Sequence, residues 1–284
     1  MAADPTVLFC VGATKAGTSW LYRYLADRGD CDLRAIKELH YYDTIDFDDL
    51  KWQVANFKKR RAELLAEGGD ARARQIADID AMVDVLHSDE RAYREYLFNG
   101  SDRLVADITP GYALLSQQRF AHMAQNFSTS KFVYLMRDPV ERLWSHVRMS
   151  AARRLKDGET FAEKTRRFLL RICQRDELVK ISNRGDYAGA VARLKAAIPA
   201  DRLMFEFSER LYRPEAIARL CAFLGLPMRD ANYARAEHSS RALAMTDEQR
   251  QMAAAYLAPQ YAFVKETFGS LPPEWQANMV KVTK

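Results

Sequence analysis

Residues 7 to 25 read VLFCVGATKAGTSWLYRYL, and no other stretch narrows the possible folds as far. Five apolar residues, Val7 to Val11, make a strand of the buried kind, a glycine-bearing loop follows, and Thr18 and Ser19 open a helix. A strand that turns through glycines into a helix aims backbone N–H groups and the positive end of the helix dipole at one point, which suits a phosphate-like anion. ATP-binding loops of this layout read Gly-x-x-x-x-Gly-Lys-Ser/Thr. Here Gly12 and Gly17 keep the spacing, but Thr18 stands in the place of the lysine, and a lysine, Lys15, lies inside the loop. The cradle is altered, and the question is which anion it holds.

Three further β-rich runs, Leu104 to Ala106, Lys131 to Met136 and Leu203 to Phe207, are separated by helical patterns. This alternation predicts an α/β fold with a P-loop-like central parallel sheet flanked by helices. We read residues 1–284 as one domain with a helical insertion at about 46–100, since the length fits one α/β domain with insertions. The first helix is expected over Ser19 to Arg28, ending near Gly29; the helix after the third strand starts with Asp138 as cap and Pro139 in its first turn. In such folds ligands sit at the carboxyl ends of the strands, where residues 12 to 19 and 137 to 145 both fall. The insertion reads as two or three helices interrupted at Gly68-Gly69, with the basic cluster Lys58 to Arg61 as a solvated face in preference to a binding patch, although its place between two strands also suits a wall of an acceptor pocket. A second arginine-rich helical block runs from Val147 to Lys180 and carries the same two readings.

A formal net charge of +5 accommodates an anionic ligand without requiring nucleic acid, and we assign no nucleic-acid partner. Cys10, Cys31, Cys173 and Cys221 are widely spaced, with Cys10 in an apolar strand, so reduced thiols and a cytoplasmic location are expected. No apolar stretch approaches the ~20 residues of a membrane span, which leaves peripheral membrane contact open. No His/Cys/Asp cluster has metal-ligand spacing, so no metal is expected.

The segment YLMRDPVERLWSHVRM supplies a second anion site. Arg137 falls at a strand end and Ser145 two turns into the next helix; a guanidinium fork and a hydroxyl there would converge on one anion. By itself Arg-Asp-Pro is as readily a strand-end ion pair, and Ser145 a surface residue. Paired with the loop at 12 to 19, they resemble the sulfotransferases that use 3′-phosphoadenosine 5′-phosphosulfate. In that family Lys15-Ala16-Gly17-Thr18-Ser19 would bind the 5′-phosphosulfate, Trp20 would add to the cofactor site, and Arg137 with Ser145 would bind the 3′-phosphate. Lys15 would meet the bridging oxygen where charge develops as sulfuryl leaves.

Other stretches are similar to the heparan sulfate branch and its bacterial relatives. KELHYYD (Lys37 to Asp43) resembles their Glu-x-His-Phe-Phe element, whose glutamate, the general base, falls on Glu38. ADITPGY (Ala106 to Tyr112) resembles their Glu-Lys-Thr-Pro-x-Tyr element, except that Ile108 replaces its lysine and Asp107 its acidic residue. In the C-terminal loop the resemblance places cofactor contacts at Ser240 and Arg241. The activity implied is transfer of a sulfuryl group to a hydroxyl or amine of a small-molecule, lipid or carbohydrate acceptor, leaving adenosine 3′,5′-bisphosphate.

Glu38 is expected to take the acceptor proton, with a pKa raised by partial burial, and His40 is the rival base. In a strand-like stretch the two would point the same way. The plainer alternatives are an ion pair of Glu38 with Lys37 or Lys15, and for His40 a packed imidazole satisfied by a backbone carbonyl. Tyr41 and Tyr42 read as core or cleft-wall aromatics, and Asp107, Thr109 and Tyr187 as lining of the acceptor pocket. Arg148, Arg153 and Arg154 suit an acidic acceptor or a solvated helix face. Two other functions compete: a P-loop nucleoside or small-molecule kinase, and a non-catalytic scaffold that binds the bisphosphate.

Overall fold

A computed structural model of the chain describes residues 5–101, 103–233 and 241–279. In chain order they form β1 (Val7–Gly12), α1 (Thr18–Ala26), α2 (Tyr41–Asp46), α3 (Leu50–Glu67), α4 (Asp70–Leu86), α5 (Glu90–Phe98) and β2 (Val105–Asp107). Then come α6 (Gln117–Asn126), β3 (Ser130–Met136), α7 (Pro139–Arg153), α8 (Phe161–Arg175), α9 (Val179–Ser182) and α10 (Tyr187–Ala197). The last are β4 (Leu203–Phe207), α11 (Ser208–Leu211), α12 (Pro214–Leu224), α13 (Asp247–Phe268) and α14 (Pro273–Met279).

The strands pair in parallel in the order β2-β1-β3-β4, with Phe9 opposite Asp107 on one side and Phe132 on the other. Every residue of β1 is buried, as a strand covered by helices on both faces requires, and this is why its sequence is a continuous apolar run and does not alternate. Phe9 packs edge-on against Phe127 with ring centroids 5.3 Å apart, at the centre of an aromatic core that also takes in Tyr42 and Phe132.

Two junctions position the site. The Ala13 amide donates to the Leu135 carbonyl at 2.7 Å, which ties the loop after β1 to the end of β3. Asp138 caps α7 by accepting from the Glu141 amide at 2.9 Å, with Pro139 in the first turn, as its residue types predict. Its carboxylate also accepts from the Tyr261 hydroxyl at 2.8 Å and from the Asn278 amide at 2.9 Å, so α13 and α14 clamp the start of α7.

The first helix is shorter than its sequence predicts, stopping at Ala26. Arg28 lies beyond the helix because its buried guanidinium turns back to the Asp30 carboxylate at 2.7 Å and the Tyr24 hydroxyl at 2.8 Å. Between α2 and β2 stand three helices, and Gly68 and Gly69, both with positive φ, separate α3 from α4. Phe57 and Leu64 of α3 are buried with Ile79 and Met82 of α4.

Candidate active site

The loop from Ala13 to Gly17 crosses the carboxyl end of β1 with Lys15 and Gly17 both left-handed. Gly17 has φ +91, and a Cβ there would stand 3.1 Å from the Tyr212 hydroxyl and 3.2 Å from Ser208 Oγ, so any other residue would be both strained and crowded. No side chain caps α1. Among the described residues the amides of Gly17, Thr18 and Ser19 donate to no protein acceptor, and all three residues line the cleft. Lys15 enters the same cleft, its ammonium pKa lowered by burial and by Arg137 and Arg153. Ala16 is fully buried and serves the packing of the loop. Trp20 stacks on Tyr24 at 5.7 Å and on Tyr233 at 6.4 Å, with Tyr212 edge-on at 5.1 Å, and also borders the cleft.

Arg137 is held through its backbone. Its carbonyl accepts from the Tyr187 hydroxyl at 2.6 Å, and its amide donates to the same oxygen at 3.2 Å. The guanidinium is thereby set against the loop, where Nη1 donates to the Lys15 carbonyl at 3.4 Å. Ser145, buried two turns into α7, lines the same cleft. Arg241 does not line it: the guanidinium lies over the Phe161 ring at 4.9 Å. Ser240 falls outside the described residues.

Across the cleft stand Lys37, Glu38, His40 and Asp43. The strand expected here is absent; Glu38 and His40 both have positive φ, 67° and 55°, and their side chains meet through this local twist. His40 Nε2 lies 3.2 Å from the Glu38 carboxylate and Nδ1 2.8 Å from Asp43, so both nitrogens face acceptors and both donate in the imidazolium form. Carboxylates thus satisfy His40, in place of the backbone carbonyl expected from sequence. Burial opposes its charge, but the hydrogen bonds to Asp43 and Glu38 prevail and push its pKa up to about 10. The expected ion pair of Glu38 with Lys37 is present at 2.7 Å. A raised Glu38 pKa is not found: burial pushes the carboxyl up, yet the Lys37 ammonium and His40 outweigh it and hold it well below the usual range.

Asp107, Thr109 and Tyr187 do not line an acceptor pocket, because all three are 0% exposed. Asp107 instead accepts from the Tyr93 and Tyr112 hydroxyls, each at 2.7 Å, and from Thr109 at 2.5 Å. Tyr112 in turn accepts the Tyr41 amide at 3.0 Å, and Thr109 the His40 amide at 3.4 Å. A buried carboxylate satisfied by three hydroxyls therefore fixes the backbone that carries the Glu38–His40 pair. Tyr41 and Tyr42 are core residues, Tyr41 stacked on Tyr93 at 4.2 Å.

The cleft has a volume of about 1580 Å³ and includes residues that no sequence motif marks. Arg184 reaches the loop and donates to Thr14 Oγ1 at 3.2 Å. His146, one residue beyond Ser145, has its Nδ1 3.4 Å from Nη1 of the buried Arg142. Burial and then the charges of Arg142 and Arg184 push its pKa down to about 2, so it is neutral. Arg153 and Arg154 at the end of α7 and Arg60 of the basic cluster also line the cleft. Among the described residues no group of three or more His, Cys, Asp or Glu is placed to hold a metal ion, and no helix is long and apolar enough to cross a membrane.

The family model described as "Sulfotransferase family" matches residues 5–230. A solved structure of a sulfotransferase from Alicyclobacillus acidocaldarius superposes with a TM-score of 0.64 at 20% identity, over 96% of this chain and 99% of that one. A sulfotransferase domain from the curacin biosynthetic pathway matches with a TM-score of 0.47 at 19% identity, over 79% of this chain and 75% of that one. A third, from the Synechococcus PCC 7002 olefin synthase, gives a TM-score of 0.49 at 16% identity, over 95% and 96%. At these identities the first of them speaks for the fold. No curated protein matches the chain.

Proposed function

The chain belongs to the sulfotransferase family, and on that premise we propose that it moves a sulfuryl group from 3′-phosphoadenosine 5′-phosphosulfate to a hydroxyl or amine of its acceptor. The observation that carries this reading is one cleft with two kinds of wall. One wall offers the Gly17 to Ser19 amides, Lys15, Arg137 and Ser145; the other offers a carboxylate flanked by cations.

The donor wall fits a ligand with an anionic group at each end. Backbone amides at the start of α1 suit the 5′ end, where the missing Cβ of Gly17 lets the backbone come close. Arg137 and Ser145 suit the 3′-phosphate, and Trp20 stands beside the amides. ATP would need a lysine after Gly17 for its terminal phosphates, and that position is Thr18.

The donor supplies an activated sulfur, and the protein contributes position and charge. As the acceptor oxygen attacks sulfur and the bond from sulfur to the bridging oxygen breaks, Lys15 balances the charge that collects on the departing bisphosphate. Glu38 takes the acceptor proton. It is ionised throughout the neutral range and so always ready, and negative charge brought in by the donor raises its basicity. His40 carries a proton on each nitrogen and so orients the Glu38 carboxylate while being unable to serve as base itself.

Cell extract incubated with sulfur-labelled donor and the wild-type protein should yield a labelled product identifiable by mass spectrometry. Glu38→Gln should lose on the order of 100-fold or more of that labelling while still binding adenosine 3′,5′-bisphosphate. Equal labelling by the variant would remove Glu38 from the chemistry, and no labelling by either protein would favour a scaffold.

A further inference from the structure

Sulfuryl transfer as described engages Lys15, the α1 amides, Arg137 and Ser145 on one side and Glu38 on the other. The end of α7, with α9 and Arg184, forms a stretch of the same cleft that this chemistry leaves unassigned. The space is generous: about 1580 Å³, against roughly 300–1,000 Å³ for a pocket that takes one small ligand.

Four cations on that stretch, Arg153, Arg154, Lys180 and Arg184, have no carboxylate within ion-pair distance among the described residues; of these Arg154 lies over the Phe168 ring at 5.9 Å. Several other basic residues of the cleft do pair, Lys37 with Glu38 at 2.7 Å, Arg60 with Glu63 at 3.3 Å, and Arg250 with Glu141 at 2.7 Å, while Lys15 is already engaged in the sulfuryl-transfer reading. Arg184 is anchored on Thr14, beside the donor loop. His146 lies on the same wall with Nδ1 facing Arg142, which leaves Nε2–H as its donor. Unpaired cations in a concavity, with a neutral N–H donor among them, make a seat for an anion.

Two large apolar side chains on the cleft are exposed. Phe47 is 45% exposed and Trp52 62%, and both line it. Leu155 and Val179, also exposed, are the chain neighbours of the cleft residues Arg154 and Lys180 and do not themselves line it. Single exposed apolar residues are ordinary, but two large aromatic side chains on a cleft that also holds cations without a carboxylate partner among the described residues match a ligand that is charged at one end and greasy at the other.

We propose that the acceptor is an anionic amphiphile. Its charged group sits on Arg153, Lys180 and Arg184, a neighbouring hydroxyl reaches Glu38, and its apolar chain leaves the cleft over Phe47 and Trp52. This rests on the sulfuryl-transfer reading, and the two can fail separately.

Calorimetric titration separates them. Adenosine 3′,5′-bisphosphate is titrated first; if the wild type does not bind it, the sulfuryl-transfer reading falls. Dodecyl phosphate, below its micelle threshold, is then added to the bisphosphate-saturated protein, with inorganic phosphate and dodecyl maltoside in parallel. Dodecyl phosphate should bind on the order of tenfold more tightly than either, and R153Q/K180Q should weaken it by a similar factor. Trp52→Ser should weaken dodecyl phosphate while leaving inorganic phosphate unaffected. Binding no tighter than inorganic phosphate removes the apolar chain from the proposal, binding no tighter than dodecyl maltoside removes the anion seat, and an unchanged R153Q/K180Q overturns the residue assignment.

Discussion

The imidazole of His40 stands 3.2 Å from the carboxylate of Glu38 and holds it in place against the Lys37 ammonium, so the carboxylate that faces the cleft lies between two positive groups. This arrangement decides which of the pair acts as base. Glu38 stays ionised far below neutral pH, and His40 stays protonated until about pH 10.

The first prediction concerns rate. With Glu38 as base, the initial rate of label transfer should show no rise between pH 6 and 9, because neither group changes state there, and a fall at the alkaline end belongs to Lys15, whose pKa is lowered by burial. A need for neutral His40 would instead make the rate climb about tenfold per pH unit toward pH 10.

The same histidine sets a pH dependence of stability. Its native pKa of about 10 exceeds the ordinary 6.5, so the folded protein holds the proton more tightly than the unfolded chain. The stabilisation is whole below pH 6.5 and is lost as the pH rises to about 10. Urea midpoints of the wild type should therefore fall over that window, and His40→Gln should flatten the slope, losing most stability at the acid end. Parallel slopes for the two proteins would remove His40 from the balance.

Much of the loop and helix geometry around residues 13–19 and 137–145 was legible because backbone requirements leave marks in sequence. Gly17 is glycine for its positive φ and its close approach to Tyr212, Lys15 sits at a fixed place in the loop, and Asp138-Pro139 announces the start of α7. The acceptor side was less so. Glu38 and His40 meet through two left-handed residues, which alternation along a strand does not describe. Asp107, Thr109 and Tyr187 carry polar groups that suggest a pocket, yet each spends them inside the core. Arg184 and His146 reach the cleft from helical segments in which a basic residue normally faces solvent, so only tertiary packing reveals them, and for Arg153 the sequence leaves an acidic acceptor and a solvated face equally open.

Tyr187→Phe tests how Arg137 is held. Removing the hydroxyl leaves the Arg137 carbonyl without its 2.6 Å partner, which should cost roughly 1–3 kcal/mol of stability. Since Tyr187 is buried and does not border the cleft, the kinetic effect should appear mainly as a raised KM for the donor with a smaller change in kcat. Unaltered donor KM would show that Arg137 needs no such support.

Gly17→Ala tests the closeness of the backbone to the donor. The left-handed φ of 91° and the 3.1 Å approach to the Tyr212 hydroxyl should together destabilise the fold by about 1–3 kcal/mol, visible as a lower melting temperature. Bisphosphate affinity should fall with it, on the order of tenfold; a variant that melts and binds like the wild type would argue against a tight cradle.

Most direct of all is the affinity for adenosine 3′,5′-bisphosphate, compared by calorimetry among the wild type, Lys15→Ala and Arg137→Ala, with ATP as the competitor and magnesium present or absent. The account predicts metal-independent binding that ATP does not match and that each substitution weakens by on the order of tenfold or more. Preferential binding of magnesium–ATP, or an affinity untouched by both substitutions, would contradict it.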